Sequence, residues 1–63
     1  MTEFEIMKEA LERVYGKIEI EEWELVNSAV IIVELFEVTI WHWFKDGKLE
    51  SIDNCINYSN ISY

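Results

Sequence analysis

The chain has 63 residues, enough for one domain and too few for a multidomain enzyme, a nucleotide-binding fold or a transporter. Apolar residues make up 51% of it and aromatic residues 14%, a content that argues against intrinsic disorder. Thirteen acidic residues against five basic ones leave a net charge of -8, which opposes direct binding to a phosphate backbone or an anionic membrane and favours a basic protein surface.

Thr2 and Glu5 have the spacing of a capping box, with Glu3 and Glu5 in the electropositive first turn of a helix. Phe4, Met7, Leu11 and Val14 recur at helical spacing and form one apolar stripe. Gly16 suits the left-handed residue that ends a helix, so the pattern predicts a helix from Glu3 to Tyr15.

Beyond Gly16 the period drops to two. Ile18 and Ile20 alternate with Lys17, Glu19 and Glu21, and Trp23 and Leu25 continue the alternation after Glu22. The charged pair Glu21-Glu22 puts Trp23 out of phase with Ile20, which predicts a bulge or a bend there. Asn27-Ser28 reads as a turn. The uncharged β-branched run Ala29 to Val33 reads as a strand buried on both faces, and Val38 to Phe44 as a second strand, with the break near Leu35. Asp46-Gly47 suits a tight hairpin whose central residues both need positive φ, returning the chain antiparallel through Leu49 to Asp53. Residues 55–63 are expected to form a flexible tail or a short edge strand.

These elements make an α+β domain spanning residues 1–63, one N-terminal helix packed on a three- or four-stranded antiparallel sheet. One helix covers one face. Val38, Ile40, His42 and Phe44 share a side of their strand, yet Thr39, Trp41 and Trp43 on the other side are also largely apolar. Val30 and Ile32 repeat the pattern opposite Ala29, Ile31 and Val33. The surplus face has three possible covers: a second copy of the chain, a different protein, or Ile56, Tyr58, Ile61 and Tyr63 folded back.

No residues read as catalytic machinery. His42 is the only histidine and reads as a structural group, while Cys55, the only cysteine, closes no internal disulfide and reads as an inert apolar residue. The pair does not complete a zinc site, and no cofactor motif is present. No secretory signal is visible at the N-terminus, and the expected location is cytoplasmic.

Between Lys17 and Lys45 there is no basic residue, whereas Glu19, Glu21, Glu22, Glu24, Glu34 and Glu37 supply six negative charges. Those six, with Trp23, Trp41 and Trp43 as apolar anchors, are the candidate partner-binding residues. The combination of small size, acidity, one helix and an antiparallel sheet resembles, in composition and not in any motif, phage-encoded inhibitors such as nucleic-acid mimics and anti-CRISPR proteins. The resemblance implies a non-enzymatic inhibitor that occupies a basic nucleic-acid-binding surface. The alternative is a self-associating homodimer whose acidity serves solubility and discourages edge-to-edge aggregation.

Overall fold

The computed structural model describes residues 1–57. Helix α1 (Glu3–Tyr15) is followed by strands β1 (Glu19–Trp23), β2 (Ser28–Glu34), β3 (Val38–Lys45) and β4 (Lys48–Ile56), with a single 3-10 turn at Glu24–Val26 between β1 and β2. The four strands form an antiparallel meander in the order β1-β2-β3-β4. The architecture is therefore one helix on a four-stranded antiparallel sheet. No helix among the described residues is long and apolar enough to cross a membrane.

Thr2 caps α1, its hydroxyl oxygen accepting the Glu5 N–H at 3.2 Å. The same hydroxyl donates to the Glu5 carboxylate at 3.3 Å, so the reciprocal half of the capping box runs to the side chain of Thr2 and not to its backbone. Phe4, Met7 and Leu11 pack on Ala29, Ile31 and Phe44, joined by Ile18, Ile20 and Leu49. Val14 departs from the expected stripe. It is 71% exposed, and Ile18, beyond the Gly16 turn, supplies the last apolar contact in its place.

The helix begins where the β3–β4 hairpin turns. Asp46 and Gly47 both have positive φ, 52° and 78°, as a two-residue turn closing on the Lys45–Lys48 pair requires. The Gly47 carbonyl accepts the Phe4 N–H at 2.9 Å, one of the donors that a helix start leaves without an intrahelical partner. A Glu3 carboxylate oxygen accepts the Leu49 N–H, and the Phe4 ring meets Phe44 edge to face at 5.1 Å. Space at Gly47 is also tight, because a Cβ there would lie 3.1 Å from both Cβ and Cγ2 of Thr2, which would have to give by a few tenths of an ångström.

Two local expectations are corrected. β1 runs through Glu21 and Glu22 with neither bulge nor bend, in continuous register from Glu19↔Ile32 to Trp23↔Ser28. Trp23 is out of phase with Ile20 because it belongs to the other face. Leu25 is not in a strand; it sits fully exposed in the 3-10 turn, which ends on Asn27 in the left-handed conformation, and Ser28 already starts β2. At Cys55 and Ile56 the edge-strand alternative holds, since β4 extends to Ile56 opposite Val38. Ile56, opposite Val38, stands on the helix side and does not cover the tryptophan face, and the expected cover by Tyr58, Ile61 and Tyr63 lies outside the described residues.

Two asparagines fasten the sheet at opposite ends. The Asn27 amide donates to the Asp46 carboxylate at 2.9 Å, and the Asn27 carbonyl accepts the Asp46 N–H at the same distance. At the other end, the Asn57 N–H donates to the Glu37 carbonyl, its amide donates to the Leu35 carbonyl, and its side-chain oxygen accepts from Thr39.

Gly47→Ala is expected to destabilise the fold by about 1–2 kcal/mol from the left-handed backbone alone, with the Thr2 contact adding to it. Urea unfolding should show part of that loss recovered in a Thr2→Ser background, which keeps the capping oxygen but removes Cγ2.

Candidate functional site

Strand pleat and register sort the side chains into two faces. The helix-side face carries Ile20, Ala29, Ile31, Val33, Phe44 and Leu49, and Ile31 and Val33 are completely buried. His42 lies on that side, 7% exposed, with Nδ1 3.1 Å from the Ile31 carbonyl oxygen. A carbonyl only accepts, so Nδ1 carries the proton, and the imidazole is a satisfied structural group.

The opposite face reads as rows across the sheet. Trp23, Ser28, Lys45 and Lys48 form the row nearest the β3–β4 turn. Glu21, Val30, Trp43 and Ser51 form the next, then Glu19, Ile32, Trp41 and Asp53, and finally Glu34, Thr39 and Cys55. In the two middle rows apolar side chains thus occupy the central strands, with Glu19 and Glu21 at one edge and Asp53 at the other, while Lys45 and Lys48 stand at the turn end of the face and Glu34 at the opposite end. Helix α1 packs on the opposite side of the sheet, against Ala29, Ile31 and Phe44.

Trp23 and Trp43 reach each other across β2. Their rings stack at 6.3 Å with 20° between planes, and Val30, on the strand between them, is only 1% exposed. Trp23 remains 42% exposed, and Trp41 and Trp43 are half-buried. The indoles therefore shield the sheet while presenting their own surface outward. Lys45, at the turn end of the face, donates its ammonium to the Val26 carbonyl.

A break in register completes the face. Trp43 pairs with Ser51 but Phe44 pairs with Leu49, which leaves Glu50 as an extra residue in β4. Glu50 and Asp53 are three apart and in a regular strand would point to opposite sides. The bulge brings both to one side, where they line an open groove of about 480 Å³ together with Trp23, Val26, Ser28, Trp43, Phe44 and Ser51.

Of the nine candidate residues, Glu19, Glu21, Glu34, Trp23, Trp41 and Trp43 share this face. Glu22 and Glu24 do not; they line a separate hollow of about 260 Å³ beside the helix start, with Thr2, Phe4 and Gly47. Glu37 sits in the exposed β2–β3 loop. Sequence reasoning overlooked Glu50 and Asp53. The available signal was Leu49 and Ile52, apolar residues an odd number apart, which share the helix side only if the strand is bulged. Cys55 differs from its expected packing role, being an exposed free thiol on the open face. No group of three His, Cys, Asp or Glu side chains among the described residues is placed to hold a metal ion.

No family model, curated protein or solved structure matches this chain.

Because stacking and the cover of Val30 both depend on Trp23, Trp23→Ala is expected to cost about 1 kcal/mol. Near-ultraviolet circular dichroism should lose the signal of the coupled indoles in both Trp23→Ala and Trp43→Phe, while the far-ultraviolet spectrum stays that of the folded chain.

Proposed function

We propose that the protein is a non-enzymatic binding module, working in the cytoplasm, that sets the open sheet face against a Lys/Arg-rich surface of another protein. The supporting observation is the layout of that face: Trp41, Trp43, Val30 and Ile32 in the centre, with Glu19, Glu21, Glu50 and Asp53 along its two edges. Well-packed aromatic anchors inside a polar rim are where binding energy concentrates in protein interfaces. A net charge of -8 supplies long-range attraction to a basic partner and opposes the pairing of two copies. Inhibition follows if the basic surface is one that nucleic acid otherwise fills.

The two parts of the face have separate kinetic roles. Edge carboxylates steer encounter, whereas desolvated indoles hold the complex together. With a partner captured at low salt from the source cell and then purified, Trp41→Ala is expected to raise the dissociation rate and leave association nearly unchanged. Glu21→Gln should instead slow association and flatten its salt dependence. Surface plasmon resonance over a salt series distinguishes these outcomes, and the reverse assignment of rates would overturn the reading. Competing duplex DNA should displace the protein from its partner if the captured surface is a nucleic-acid site.

A further inference from the structure

The groove over Trp43 has a more specific chemistry than the rest of the face. Two stacked indoles supply electron-rich ring faces, and Glu50 and Asp53 supply carboxylates beside them. Neither carboxylate has a side-chain hydrogen bond or a cation partner among the described residues. Two lysines share the turn end of the face: Lys45 is engaged with the Val26 carbonyl, and Lys48 stands on β4 two residues before Glu50 with no ion pair to either carboxylate among the described residues.

We propose that this groove receives an arginine side chain from the partner protein, a refinement that rests on the binding-module reading above. A guanidinium is planar, so one face lies flat on an indole while its edge N–H groups point in the ring plane toward acceptors. The groove lining includes both kinds of group, and Ser51 is among the lining residues as well. An anion is repelled by the two carboxylates. A purely apolar side chain leaves both carboxylates desolvated without a counter-charge, at a cost. A lysine ammonium satisfies the charge but is a compact, strongly hydrated group that cannot stack and bridge together. The groove is open at its top, which suits a side chain carried on another chain and not a small molecule that must be enclosed.

The probes are Gly-Ser peptides with alternate arginines, and the same peptides with lysine or with uncharged citrulline at those positions. Titrations are followed by the indole Nε1–H and backbone amide resonances of the isotopically labelled protein. The arginine peptide should shift Trp23, Trp43, Glu50 and Asp53. Replacement by citrulline should weaken binding about tenfold or more, through loss of cation–π attraction and charge-assisted hydrogen bonds, and lysine should bind measurably less well than arginine. The double variant Glu50→Gln, Asp53→Asn should lose a similar factor, and Glu9→Gln on the exposed helix side should change nothing. Trp43→Phe keeps an aromatic floor and serves as the folded control, binding with intermediate affinity.

Equal binding of the arginine and citrulline or lysine peptides would overturn the proposal. So would shifts that spread over the acidic residues of α1 as strongly as over the groove. If the peptides fail in either way while the purified partner still dissociates faster from Trp41→Ala, the arginine assignment falls and the binding face stands. If the partner is indifferent to every tryptophan substitution, the broader reading falls as well.

Discussion

The contact between the start of α1 and the β3–β4 turn decides what the rest of the molecule can present. Helix placement on a small sheet is not fixed by apolar matching when both sheet faces are apolar. Here it is fixed by two directional bonds, the Phe4 N–H to Gly47 and the Leu49 N–H to Glu3, with Thr2 packed closely beside Gly47. These bonds pin the first turn of the helix over Phe44, and the edge-to-face contact of Phe4 with Phe44 adds shape specificity. The tie lies at one end of the helix, consistent with the 71% exposure of Val14 in the last turn. Choosing the side of Ala29, Ile31 and Phe44 for the core assigns the three tryptophans to the other side. The open face is thus a consequence of how a hairpin turn and a helix cap interlock.

An open aromatic face on a small protein invites aggregation, and the distribution of charge answers that hazard without sacrificing the apolar centre. Glu19 and Glu21 stand on β1, one edge of the four described strands, and Glu50 and Asp53 stand on β4, the other. Inward from them the side chains are Val30, Ile32, Trp41 and Trp43. Charges and a bulge on edge strands discourage further strand addition. The same charges repel an identical face while attracting a basic one, because the sign of the partner alone changes the sign of the interaction. On the proposed reading, solubility and selectivity draw on one set of residues. This makes the readings of acidity as a protective device and as a contact surface compatible at Glu19 and Glu21.

Much of the fold was legible in the sequence because its signals are local and chemically forced. The α1 boundaries follow from Thr2 and Gly16, and the hairpin follows from Asp46-Gly47, where only residues tolerant of positive φ suit both central positions. The division of β2 and β3 into two apolar faces also followed from alternation alone. What was not legible depended on tertiary choices. Trp23 looked like a disturbance of β1 because its partner, Trp43, lies two strands away and twenty residues later. Leu25 continued an alternating pattern that the 3-10 turn interrupts, and the interruption is stabilised by Asn27 reaching Asp46, a bond between distant turns. Six acidic residues in one basic-free segment suggested one surface. The pleat instead put Glu22 on the helix side, while Glu24 and Glu37 fell in connections.

The β4 bulge shows how packing creates the groove indirectly. The two-residue turn sets Lys45 opposite Lys48 and Phe44 opposite Leu49, which places Leu49 with the core. Continued without interruption, the same register would send Ile52 to the tryptophan side and Ser51 and Asp53 to the helix side. Inserting Glu50 reverses that phase, so Ile52 pairs with His42 on the helix side and Asp53 pairs with Trp41 on the open one. The extra residue costs one interruption of the ladder, at an exposed edge strand where such irregularities are best tolerated. In return two carboxylates that regular strand geometry separates come to line one groove beside Trp43. An apolar constraint on one side of the sheet thereby sets the polar chemistry of the other, and the acidity of the groove is coupled to the core through a single backbone irregularity.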